Sequence, residues 1–145
     1  EMILTNPYFL RAVALMKALL FVVCLLPSQG MAKEGLDQEV EINEGLIAIS
    51  MADTIRTSCP EILARFIEAF IFLKSLESQA RALGYDGSEI KAFINDADEK
   101  DRVLSLAQAR LTTIGALPYQ PATYCTVGLA EIQTGSAIGK LLKAK

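Results

Sequence analysis

Three cysteines, Cys24, Cys59 and Cys125, carry the most reactive side chains in this sequence. The sequence contains no histidine, so it cannot form a Cys-His nucleophilic pair. A structural zinc site needs four thiolate or imidazole ligands, and no C-x-x-C pair is present for redox chemistry or haem attachment. The residue types therefore favour a structural role for the cysteines.

The first cysteine lies in a segment with the form of a secretory signal peptide. Residues 16–35, MKALLFVVCLLPSQGMAKEG, combine a lysine, an apolar run over residues 18–26 and small residues before a cleavage site that we place after Ala32. We expect residues 1–15 to be an upstream extension, translation to start at Met16, and Cys24 to leave with the signal. An uncleaved membrane anchor is the alternative, although the apolar run is about half as long as a membrane span.

Export would leave Cys59 and Cys125 as the cysteines of a single helical domain over residues 33–145. Two cysteines in an exported domain favour one disulfide, and two free buried thiols are the alternative. A bridge between them would close a loop of more than sixty residues. In the chain-entropy model, a loop of that length contributes roughly 4 kcal/mol to stability.

Apolar residues at helical spacing predict the first two helices. The first covers residues 40–57, with a slightly later start at Asn43-Glu44 as an alternative. The second starts with Pro60 at its first position and ends near Leu83, before Gly84. Its apolar stripe is wide enough to predict that it is the central helix of the fold. The predicted buried face comprises Ile62, Phe66, Phe70, Leu73, Leu76, Ala80 and Leu83, and a flanking row adds Leu63, Ile67 and Ile71.

Three further helices complete the predicted fold. A short helix capped by Ser88 precedes longer helices over residues 99–114 and 122–142. Glycines in the last helix lower its intrinsic stability and would let a neighbouring backbone come close: Gly128, Gly135 and Gly139. We see no strand-like alternation and no internal repeat. The predicted fold is all-α, a compact bundle of four main helices plus one short helix, preceded by a signal-peptide helix.

The acidic stretch NDADEKDR, residues 95–102, suggests a calcium loop at first sight. An EF-hand loop that starts at Asp96 requires glycine at its sixth position and glutamate at its twelfth. The sequence has Asp101 and Ala107 there. We therefore interpret the stretch as a helix cap followed by acidic first-turn residues, and we expect no metal site.

Carboxylates on or near the apolar faces are the remaining candidates for acid–base chemistry. Two of them would have to converge in a pocket, whereas most carboxylates on amphipathic helices are solvated. We therefore predict no catalytic residue and no cofactor. The carboxylates concerned are Glu44, Asp53, Glu61, Glu68 and Glu77.

The phenylalanines of the second helix have different predicted roles. Phe66 and Phe70 stand four residues apart and are predicted to lie in the core. Phe72 points in another direction and is our predicted contact with a partner.

Three stretches resemble a small exported family of unknown function from alphaproteobacteria related to Rhodobacter. They are NEGLIAISMADTIRTSCPEI (residues 43–62), SLESQARALGY (residues 75–85) and YCTVGLAEIQTGSAIGKLL (residues 124–142). The resemblance implies a periplasmic location and pairing of the two cysteines. It supplies no catalytic residues.

Composition and charge narrow the classes of function. The net charge is −3 and basic residues are not clustered, which argues against nucleic-acid binding. We predict a non-enzymatic periplasmic accessory protein that docks on a protein partner, for example a membrane-bound respiratory or envelope complex. A module that binds a small or apolar ligand between its helices is the alternative, and a carboxylate-dependent hydrolase is a third hypothesis.

Overall fold

Five α-helices and one two-stranded sheet make up residues 33–145, the part of the chain that the computed structural model describes. The elements are α1 (Val40–Ser58), β1 (Ile62–Ala64), α2 (Phe66–Ala82), α3 (Gly87–Asn95), α4 (Ala97–Thr113), α5 (Pro121–Thr134) and β2 (Leu142–Ala144). The domain is mostly α-helical, as predicted. The predicted signal peptide and start at Met16 lie outside the described residues.

The central helix is α1. Its start and end agree closely with the predicted helix over residues 40–57. It packs against α2, α4, α5 and β1, and apolar residues such as Ile42, Ile47 and Ile55 are buried around much of its circumference. The prediction that the second helix is central is therefore wrong. α1 has neighbours on several sides, and the apolar residues that face them are buried.

The prediction that Pro60 begins the second helix is also wrong. Pro60 and Glu61 form a turn, and the next residues form β1, which pairs antiparallel with β2. Ile62 stands opposite Ala144 in this pairing, and the backbone N–H of Arg65 donates to the carbonyl of Leu141 at 2.8 Å. Because these hydrogen bonds come from the far end of the chain, no local pattern indicates them. The expectation of no strands fails for the same reason.

The last helix is shorter than predicted. α5 ends at Thr134, and Gly135 adopts a left-handed conformation with φ of 63°. The chain then folds back so closely that a Cβ on Gly139 would lie 1.9 Å from the carbonyl oxygen of Glu131. A left-handed glycine is a common helix terminus, and here it redirects the chain toward β2.

Aspartates cap the two middle helices. Asp86 caps α3 in a capping box with Glu89, so the predicted cap at Ser88, two residues later, is wrong. Asp96 caps α4 by accepting a hydrogen bond from the N–H of Glu99 at 2.9 Å. The cap interpretation of the acidic stretch is thus confirmed.

The end of α1 is covalently tied to α5. Cys59 is fully buried, and its sulfur is bonded to that of Cys125 at 2.05 Å, across a sequence separation of 66 residues. Ile55 and Ile62, on either side of Cys59, are also fully or almost fully buried. The bridge therefore lies within the main core cluster, where α1, β1 and α5 meet.

Removal of this bridge should destabilise the domain strongly. We expect the double variant Cys59→Ala/Cys125→Ala to lose about 2–4 kcal/mol of unfolding free energy, because the unfolded chain regains the entropy of a long loop. Urea denaturation followed by circular dichroism measures the change. Reduced wild-type protein is the matched control and should unfold at a similar urea concentration. Equal stability of the oxidised protein and the double variant would contradict a structural role for the bridge.

Gly128 lets α5 approach the core. A Cβ at this position would lie 2.4 Å from Cδ1 of Ile62 and 2.6 Å from Cγ2 of Ile55. Both isoleucines are held in the core, so neither can move away without disturbing it. The atoms closest to this glycine belong to side chains, so the predicted approach of a backbone is wrong at Gly128.

We therefore expect Gly128→Ala to destabilise the protein despite the better helix propensity of alanine. Overpacking costs about 1–3 kcal/mol and the propensity gain is up to about 1 kcal/mol, which leaves a net loss of up to about 2 kcal/mol. Thermal unfolding measures this loss. Thr126→Ala, on the exposed side of the same helix, is the control and should change the melting temperature little. A melting temperature raised by Gly128→Ala would show that the contact is not tight.

Candidate interaction surface

The carboxylates considered for acid–base chemistry are mostly held in separate ion pairs. Asp53 pairs with Arg56, Glu68 with Arg65, and Glu77 with both Lys74 and Arg81. Glu44 pairs with Arg110, and Glu61 is exposed. None of these five ion pairs contains a second carboxylate, so the described contacts do not bring an acid and a base together.

The pKa values of two of these carboxylates are also shifted in the wrong direction for a general acid. Hydrogen bonds from Lys74 and Arg81 lower the pKa of Glu77, and the guanidinium of Arg110 lowers the pKa of Glu44. A general acid at neutral pH needs a raised pKa, and both shifts are in the opposite direction. Within residues 33–145 there is also no group of three or more cysteine, aspartate or glutamate side chains placed to hold a metal ion.

The Glu44–Arg110 pair connects α1 and α4 and should make stability depend on pH. The Arg110 guanidinium donates to both carboxylate oxygens of Glu44, with one distance of 2.6 Å. Since the folded-state pKa lies below the ordinary value of 4.5, the stabilisation is complete above that value and disappears as pH falls through the folded-state pKa. The side chains are about half exposed, so solvent screening keeps the contribution small.

We accordingly expect Glu44→Gln to reduce the unfolding free energy by about 0.5 kcal/mol at neutral pH. The difference from wild type should vanish in acid, once the pH lies below the folded-state pKa and Glu44 has lost its charge. Urea unfolding at both pH values tests this expectation. Asp101→Asn on α4 serves as a control, because the structure describes no ion pair for that residue. A difference of the same size at both pH values would exclude the ion pair as its cause.

Two polar side chains hold the residues that precede α1. The amide of Asn43, which is buried, donates to the carbonyl of Leu36 at 2.8 Å, and its oxygen accepts from Arg102 of α4. The hydroxyl of Tyr85 lies within hydrogen-bond distance of the carbonyl of Glu34 and the carboxylate of Glu39. Burial and the neighbouring Glu39 carboxylate raise the pKa of Tyr85 to about 12. Both residues thus serve the fold, and sequence reasoning had considered Asn43 only as a cap.

The outer side of α2 is the most unusual surface of the domain. Four large apolar side chains there are exposed, namely Phe66 (71%), Ile67 (74%), Phe70 (60%) and Ile71 (61%). We refer to these four residues as the α2 apolar face. They occupy two successive helical turns, so they form a continuous stripe. The sequence pattern had predicted all four to be buried, and that prediction is wrong.

The inner side of α2 explains this outcome. Leu76 and Ala80 are buried, and Phe72 is half-buried against the main core cluster. Phe72 therefore lies on the core side of α2, contrary to the prediction that it points in another direction. Its predicted contact with a partner stays a prediction, but Phe66 and Phe70 are better placed for such a contact. Only one side of α2 meets α1, and nothing in residues 33–145 covers the other side.

Charged groups border the α2 apolar face. The guanidinium of Arg56 lies 5.8 Å from the ring centroid of Phe66, and the ammonium of Lys74 lies 5.9 Å from that of Phe70. Such cation–π contacts shield part of each ring and leave the outer edge free. An apolar centre with a charged rim is the usual composition of a protein-binding surface.

An apolar groove lies beside this face. It consists of two adjoining depressions of about 240 and 320 Å³ that share Leu46, Leu73, Phe93 and Ile94. Phe70 contributes to one wall, and Val103 and Leu104 of α4 line the other side. The groove is open to solvent, so it extends the exposed apolar surface from α2 toward α3 and α4.

No helix in residues 33–145 combines the length and apolar character of a membrane span.

Comparison with known protein families identifies the family of this helical domain. The model of a family of unknown function, DUF5333, matches residues 34–143, and the chain belongs to that family. No curated protein and no solved structure matches the chain significantly.

Proposed function

We propose that the protein is a non-enzymatic interaction domain of the periplasm that binds a protein partner through the α2 apolar face. The observation behind this proposal is the exposure of four large apolar side chains on consecutive turns of one helix. Together they leave roughly 500 Å² of apolar surface in water, and patches of that size on monomers are often functional. Such a domain would serve as an accessory unit of a larger assembly, for instance a membrane-bound respiratory or envelope complex.

The energetics support binding rather than a purely structural role for this face. Each of these side chains would gain about 1.5–3 kcal/mol from full burial, yet the fold leaves them exposed. The disulfide and the core around α1 already hold the domain together. Export, suggested by the signal-peptide pattern and by the cysteine pairing, supports the periplasm as the compartment.

A photocrosslinking amino acid at position 70 tests the proposal in cells. We expect ultraviolet light to give a discrete adduct from this position, and Ile67→Lys in the same chain to abolish it. The control is the same amino acid at position 108, on an exposed part of α4, where we expect no adduct. If positions 70 and 108 behave alike, with or without adducts, the α2 apolar face is not a specific binding surface.

The groove makes ligand binding a second candidate function. Its lining is largely apolar, which suits a fatty or aromatic molecule. Because it opens to solvent along its length, a small molecule would keep much of its surface in water, whereas binding pockets usually enclose most of the ligand. The groove therefore fits better as an extension of the protein-binding surface.

A further inference from the structure

The charged residues around the α2 apolar face follow a symmetric pattern. Four charged residues lie between Ala64 and Ser78, and each stands as far from Ile71 as a residue of opposite charge on the other side. Glu68 and Lys74 are each three residues from Ile71. The other pair is Arg65 with Glu77, each six residues away.

This pattern matches what an antiparallel pair of identical helices requires. In a two-fold symmetric pair centred on Ile71, every residue stands level with the residue equally far from Ile71 in the second copy. Glu68 of one copy would therefore be level with Lys74 of the other. Three residues cover about 300° of a helical turn, which is about 60° short of the full turn. Glu68 therefore lies about 60° to one side of Ile71 around the helix, and Lys74 lies about 60° to the other side. With helix axes 8–10 Å apart, their long side chains reach across the contact.

The side chains on this face are available for such a contact. Ile71 is 61% exposed, and the side chains of Glu68 and Lys74 are 42% and 58% exposed. Ile67 would be level with Ser75 of the second copy, whose small side chain leaves room for it. Glu68 and Lys74 form the surface ion pairs Arg65–Glu68 and Lys74–Glu77 in the single chain. These pairs are weak enough to be exchanged for contacts with the second copy.

The size of the face also suits a dimer. A standard interface buries about 800 Å² on each partner, of which a little more than half is apolar. Within the α2 apolar face, Ile67, Phe70 and Ile71 lie within about 100° of the centre of the contact and supply part of that share.

We propose that the partner of the α2 apolar face is a second copy of this chain, bound with the two α2 helices antiparallel and centred on Ile71. This inference rests on the proposed function, since it requires that the face binds protein. It adds the identity of the partner and the register of the contact.

Charge reversal tests the register. Sedimentation equilibrium of the purified protein should show a dimer for wild type. Glu68→Lys alone and Lys74→Glu alone should each raise the dissociation constant about tenfold or more, because each creates two like-charge contacts across the dimer. A mixture of the two variants should restore wild-type affinity as a heterodimer, since every contact is again between opposite charges. Gln108→Lys on α4 should leave the affinity unchanged.

The mixture also guards against misfolding, because a variant that forms the heterodimer is folded. A monomeric wild-type protein would overturn the inference, and so would a dimer that the single variants do not weaken. Failure of the mixture to recover affinity would overturn the proposed register. If the wild type is monomeric while the photocrosslink at position 70 contains a different protein, this inference fails and the proposed function stands. Failure of both experiments would refute the proposed function as well.

Discussion

The junction at which α1 ends is the constraint on which the rest of the structure depends. Cys59 terminates α1 in the fully buried core and is bonded to Cys125 in α5. Ile55, four residues before Cys59, and Ile62, three residues after it, pack against Gly128, where α5 has no side chain. The covalent bond, the core contacts and the glycine thus all lie where the end of α1 meets α5. They determine where α5 lies, and α5 in turn leads the chain back to β2.

The same junction determines what α2 can do. Because β1 pairs with β2 directly after the turn at Pro60, α2 starts at Phe66 and meets α1 along one side only. Leu76, Ala80 and Phe72 satisfy that contact. The remaining apolar side chains of α2 are left on the surface. Their exposure is thus a consequence of how the core is built, and it provides the domain with its most distinctive surface.

The charged residues of the domain are arranged in a regular way. Most of the carboxylates near apolar faces are engaged with arginine or lysine, and the pKa values of Glu44 and Glu77 are lowered rather than raised. The charges on α2 have a further regularity, since they are arranged about Ile71 with opposite signs. Membership of a family of unknown function assigns no activity to these residues. The physical properties of the α2 apolar face are therefore the most direct evidence about function.

The sequence by itself determined the helical class, the position of α1, the cap of α4, the stops of α2 and α4, and the two cysteines whose pairing was expected. These features depend on local periodicity, on residues such as Asp96 and Gly84, or on the count of available thiols. Tertiary structure alone decided that α1 is central, that residues 62–64 form a strand, and that Phe66 and Phe70 are exposed. The physical reason is that a wide apolar stripe indicates only how much of a helix surface would be stabilised by burial. Which part of it is buried depends on the partners that the fold supplies, and β2, the partner of residues 62–64, comes from the far end of the chain.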